Sequence, residues 1–83
     1  MRYISTRGEA PVLDFEDTLL AGLATDGGLY LPEEWPSLSA DEWRALRGAP
    51  YPEIAAAVMA PFAAGSFSRD ALTQICREAY AGF

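Results

Sequence analysis

Histidine and lysine are both absent from the 83 residues, and cysteine occurs once, at Cys76. Without histidine the commonest general base near neutral pH is missing, so proton transfer would fall to carboxylates, tyrosines or the lone thiol. Without lysine no Schiff base can form, which excludes amine-based covalent catalysis by this chain alone. One cysteine makes no internal disulfide, and with no histidine beside it there is no zinc ligand set. Basic charge is scarce too: six arginines face twelve Asp and Glu, for a net charge of −6. With a pI near 4.3, nucleic acid and anionic membranes are poor candidates for a ligand. No apolar run approaches the roughly 20 residues that span a bilayer. Met1-Arg2-Tyr3-Ile4 runs into polar Ser5-Thr6-Arg7-Gly8 rather than a signal-peptide core. The composition reads as a cytoplasmic, unprocessed polypeptide.

What is present suffices for one folded domain and no second core. The chain is 51% hydrophobic, with two Trp, four Tyr and four Phe, more than a disordered tail carries. A domain this small buries only roughly 60–65% of the surface its unfolded chain exposes, so a docking partner is expected.

The pattern along the chain reads as a small, mostly helical α+β domain. Arg2-Tyr3-Ile4-Ser5-Thr6 ends at Gly8 and is expected as a strand over about 2–6. Asp14 caps a helix over about 15–24, with Phe15, Leu19, Leu20 and Leu23 on one face and Asp26-Gly27-Gly28 ending it. A second strand follows over about 28–31, ended by Pro32; the direction of the pair is left open. Ser39-Ala40-Asp41-Glu42 is a capping box that starts a helix over about 40–47, with Leu38 and Trp43 as its staple, and Gly48 and Pro50 stop it. A third helix is expected over about 52–64, ending or kinking at Pro61. Ser68 caps the last, over about 69–82, whose stripe is Leu72, Ile75, Cys76, Ala79, Tyr80 and Phe83.

Few residues offer chemistry. Ser5, Thr6, Arg7 and Gly8 combine two hydroxyls, a guanidinium and a close-approach glycine, the groups a phosphate or carboxylate needs. From spacing alone, a strand-end turn is the stronger reading. Asp26, Gly27 and Gly28 expose N–H groups, yet the negative side chain opposes an anion, which favours a structural turn. Glu33, Glu34, Asp41 and Glu42 lack a calcium pattern and read as a solvated face. Trp35 and Trp43 read as core or interface anchors, and Cys76 as core packing. No metal site is expected.

Tyr3-Ile4-Ser5-Thr6-Arg7-Gly8, then Phe15, then Leu20-Ala21-Gly22-Leu23-Ala24-Thr25-Asp26-Gly27-Gly28-Leu29-Tyr30-Leu31-Pro32 closely resembles the opening of the threonine synthase family. The likeness is strongest over residues 3–32, and the helical remainder resembles the rest of that family's N-terminal domain. The resemblance implies a parent enzyme, a lyase of threonine biosynthesis, that uses pyridoxal phosphate to convert O-phosphohomoserine and water into threonine and phosphate. It also implies that the cofactor lysine lies elsewhere in that polypeptide, because the family's cofactor motifs are not in this chain.

The expectation is therefore one domain over 1–83, non-catalytic alone, with catalytic domains downstream as its partner. It would pack on them and help shape the active-site entrance. Within it Ser5, Thr6, Arg7 and Gly8 are candidates either for the substrate side of the parent enzyme or for anchoring the domain against the catalytic body, the anchor slightly favoured. The rival is a self-standing acidic helical module that binds a protein through Trp35, Tyr51 and Phe67. A hydrolase built on Asp and Glu pairs is disfavoured, because no two carboxylates stand at an acid/base spacing on rigid elements.

Overall fold

The computed structural model describes residues 1–82. Its elements are β1 (Tyr3–Ser5), α1 (Phe15–Ala21), β2 (Tyr30–Pro32), α2 (Ala40–Ala45), α3 (Tyr51–Met59) and α4 (Arg69–Ala79). The α+β class with two short strands and four helices is as expected, and the boundaries differ for identifiable reasons. Among the described residues no helix is long and apolar enough to cross a membrane.

The two strands are antiparallel, with Tyr3 opposite Pro32, Ile4 opposite Leu31 and Ser5 opposite Tyr30. Strand β2 starts later than the expected residue 28 and includes Pro32 rather than ending before it. Tyr3 explains the proline. Its N–H and C=O are both spent on Leu13, at 2.8 and 3.1 Å, so the Tyr3–Pro32 pair is a non-hydrogen-bonded one and the missing N–H costs nothing. The direction follows from how the excursion between the strands closes. The Thr6 N–H donates to the Leu29 carbonyl at 2.8 Å, and the chain returns beside the point where it left.

Helix α1 is capped by Asp14, whose Oδ1 accepts from the Asp17 N–H at 2.8 Å. It ends at Ala21, not near 24, because Gly22 takes φ 71° and breaks the helix before Asp26-Gly27-Gly28 is reached. Leu23 therefore lies outside the helix, and the expected apolar face is not buried: α1 contains no buried residue. The capping box of α2 forms both of its bonds, Glu42 N–H to Ser39 Oγ and Ser39 N–H to Glu42 Oε2. Helix α3 stops at Met59 instead of reaching 64. Of the two outcomes open at Pro61, the helix ends, and residues 60–66 continue as turns. Ser68 caps α4 through the Ala71 N–H. Of its stripe, Leu72 and Cys76 are buried, Tyr80 is half-buried and Ile75 is exposed; Phe83 lies outside the described residues.

The core sits where α3 and the turns after it meet α4 and is made of Ala56, Ala63, Leu72 and Cys76. Alanine at the contact lets the two helix backbones approach closely, and Arg77 on α4 reaches Glu53 on α3 at 3.3 Å. An aromatic chain ties the front to this core. Tyr3 packs on Phe15 at 6.1 Å between centroids, and Phe15 packs on Phe67 at 6.0 Å. The Tyr3 hydroxyl donates to the Phe62 carbonyl at 2.6 Å, and burial of that phenol raises its pKa.

So small a core leaves a large surface. A 9.0 kDa monomer ordinarily exposes about 4,900 Å², whereas this chain exposes 5762 Å². Its radius of gyration is 14.5 Å, against about 12 Å for a globule of this length. The packing between α3 and α4 yields a direct expectation. Ala56→Leu, at a fully buried position, should lower stability by about 1–3 kcal/mol by overpacking. Ala71→Leu on the exposed side of α4 should change it by less than about 0.5 kcal/mol. Denaturant midpoints of the two variants check this.

Candidate functional site

The two glycine-containing segments singled out in the sequence, Ser5 to Gly8 and Asp26 to Gly28, meet at the end of the β1–β2 ribbon. Ser5 is 5% exposed, because it alternates inward with Tyr3 on β1. Its hydroxyl lies 2.8 Å from both oxygens of the Asp26 carboxylate and donates to it. The same hydroxyl accepts from the Arg7 N–H at 3.2 Å. Asp26 accepts twice more from backbone, from Glu9 N–H at 2.9 Å and from Gly28 N–H at 2.9 Å. The Arg7 guanidinium donates to the Asp26 carbonyl at 3.0 Å, and the Thr6 hydroxyl accepts from the Leu29 N–H at 3.0 Å. Gly8 closes a turn, its N–H donating to the Ser5 carbonyl at 3.0 Å with φ 75°.

This geometry sets the carboxylate's electrostatics. Partial burial pushes the Asp26 pKa up, but the Gly28 N–H, the Ser5 hydroxyl, the Glu9 N–H and the Arg7 charge together pull it below its ordinary value. A carboxyl so held is a weak base, so the Ser5–Asp26 contact does not constitute a nucleophile with an activating base. Of the groups that made Ser5, Thr6 and Arg7 resemble an anion cradle, the Ser5 hydroxyl is given to Asp26, and Thr6 and Arg7 each hold one bond to backbone. The arrangement is a clamp that holds the two ends of the 6–29 excursion together.

Sequence reasoning found both segments but not that they bind each other. It missed Glu9 and Leu29, whose backbone amides complete the network and carry no side-chain signal. Gly28 is required for the close approach: a Cβ there would stand 2.5 Å from Ser5 Oγ, 2.9 Å from Thr6 Oγ1 and 3.0 Å from Asp26 Oδ1. Among the described residues, Glu33, Glu34, Asp41 and Glu42 included, no group of three or more potential metal ligands converges. Of the aromatic residues named for a protein-binding module, Trp35 and Tyr51 are exposed. Phe67 is not, since it packs on Phe15 and the core. A hollow of ≈ 370 Å³ lies elsewhere, lined by Met1, Arg2, Glu33, Glu34, Pro61 and Ala64. It holds the Arg2–Glu33 ion pair and no convergent acid/base pair.

Residues 2–80 match the family model described as the threonine synthase N terminus. The chain belongs to that family. It is 54% identical over 83 residues to threonine synthase of Pseudomonas aeruginosa, covering all of this chain and 18% of that protein. It is 39% identical over 82 residues to threonine synthase of Schizosaccharomyces pombe, covering 98% of this chain and 16% of that protein. Human threonine synthase-like 2 is 37% identical over 87 residues. The crystal structure of pyridoxal-phosphate-bound threonine synthase from Brucella melitensis superposes on the whole chain with a TM-score of 0.92 at 57% identity, over 18% of that structure's length. The chain thus spans less than a fifth of the threonine synthases it matches.

The described side chains do not fit pyridoxal phosphate. No lysine is available to hold its aldehyde, and the buried Ser5 hydroxyl donates to Asp26 rather than toward a ligand. The clamp makes its own prediction. Gly28→Ala should lower stability by about 1–3 kcal/mol, since the colliding atoms belong to short, mutually bonded side chains. Ser5→Ala should lower the unfolding midpoint by several degrees, as removing a buried hydroxyl leaves the Arg7 N–H without its acceptor. Unchanged melting curves for both would contradict the clamp.

Proposed function

We propose that the chain is the N-terminal domain of a threonine synthase that converts O-phosphohomoserine and water into threonine and phosphate in the cytoplasm. Family membership over residues 2–80 carries this reading, together with the fraction of each relative that remains beyond the match. Pyridoxal phosphate, the cofactor named for the Brucella relative, supplies the electron sink for such an elimination when bound. In this reading its lysine and phosphate ligands lie in the catalytic domains downstream, and the present segment is non-catalytic by itself.

The part assigned to this segment is mechanical. Single-domain organisation over 1–83 makes it a separate body that packs on the catalytic domains and shapes the entrance to their site. Ser5, Thr6, Arg7 and Gly8 are the domain's internal anchor, not a substrate contact. Ser5 supports this most directly: its buried hydroxyl donates its proton to Asp26, while Thr6 and Arg7 each hold a bond to the backbone, of Leu29 and Asp26 respectively.

Full-length enzyme kinetics separate anchor from contact. Arg7→Ala should leave the KM for O-phosphohomoserine within about twofold and lower stability by less than about 1 kcal/mol, because the guanidinium is exposed and makes one bond to a carbonyl. A KM raised by about tenfold or more, with unchanged stability, would place Arg7 on the substrate instead.

A further inference from the structure

The front of the molecule carries a band of apolar side chains that none of the described residues covers. Leu20 on α1 is 79% exposed, Leu23 68%, Leu19 65% and Leu29 57%. Chain connectivity and pairing link its parts. Leu19 and Leu20 lie in the last turn of α1, and Leu23 follows directly after the Gly22 cap. The Ala24 N–H donates to the Gly28 carbonyl at 3.1 Å, which sets Leu23 and Leu29 on either side of one closed loop. Leu29 and Leu31 are two residues apart along the strand and share a face, and Leu31 stands opposite Ile4 in the ribbon, both outward of Tyr3 and Ser5.

We infer that this band, Ile4, Leu19, Leu20, Leu23, Leu29 and Leu31, is the face by which the segment docks on the larger body of its own polypeptide. This rests on the reading of the chain as the N-terminal part of a threonine synthase. Three observations select that occupant. The chain as a whole exposes roughly 900 Å² more than a monomer of its mass should, enough surface for one side of a standard interface of about 800 Å². More than four fifths of each full-length relative lies outside the match, so a body large enough to bury the band belongs to the same polypeptide. A tethered body acts at an effective concentration of the order of millimolar, which a second copy does not reach at ordinary protein concentrations. The Asp26 clamp then has a purpose beyond local stability: it fixes the loop between Leu23 and Leu29 so that the band is presented without further ordering cost.

The test is thiol labelling of the full-length parent protein, read by mass spectrometry at the introduced site. Leu20→Cys and Leu29→Cys are compared with Asp41→Cys, whose parent side chain is 91% exposed, each rate normalised to that of the denatured protein. The expected result is that both band positions label about tenfold or more slowly than Asp41→Cys, independent of protein concentration. Labelling of both band positions as fast as at Asp41→Cys overturns the inference. So does protection that vanishes on dilution, which would make a second copy the occupant. Phosphate release from O-phosphohomoserine is measured on the same full-length protein. Protection without phosphate release supports the docking face and overturns the enzymatic reading, whereas phosphate release without protection does the reverse.

Discussion

One carboxylate organises the front of this domain. Asp26 receives the Ser5 hydroxyl and the backbone amides of Glu9 and Gly28, and these partners come from both ends of the long excursion between the strands. A ribbon of three residues per strand is marginal in water. It persists here because its open end is closed by the clamp, while its other flank is held by the Tyr3–Leu13 pair and by the stacking of Tyr3 on Phe15. The clamp uses Ser5, Thr6, Arg7, Asp26 and Gly28 for contacts within the domain.

The back of the domain follows a different economy. Alanines bring α3 and α4 together, so the core is tight but contributes little apolar area per residue. Tyr3 and Leu72 are the large apolar side chains buried among the described residues, while Leu19, Leu20, Leu23 and Leu29 are more than half exposed, whereas an independent domain normally buries such residues. Under the proposed docking, the outer leucines find their cover on the remainder of a longer polypeptide, as each relative extends well beyond the match.

Much of this was legible in the residues. Local chemistry announced itself: Asp14, Ser39 and Ser68 cap the helices they were expected to cap, because a cap is a contact between neighbours in sequence. Pro61 ended α3 for the same reason. What could not be read was long-range. The periodicity of Phe15, Leu19, Leu20 and Leu23 was correct as a pattern but said nothing about whether this chain or another part of a larger protein covers it. Gly22 competed with Asp26-Gly27-Gly28 as a helix stop, and the nearer glycine prevailed. The meeting of Ser5 with Asp26 was hidden because two of its partners are backbone amides, which every residue possesses. The antiparallel direction was hidden because it depends on where the excursion closes.

The most direct measurement is the titration of the Asp26 side-chain carboxyl, followed by carbon NMR. If the clamp holds as described, the midpoint falls below the ordinary aspartate value of about 3.9, and Ser5→Ala moves it back upward. Because the folded-state pKa is lowered, the clamp's contribution to stability is fully present above the ordinary value and is lost as pH falls through the lowered one. An Asp26 midpoint at or above the ordinary value, indifferent to Ser5→Ala, would contradict the account.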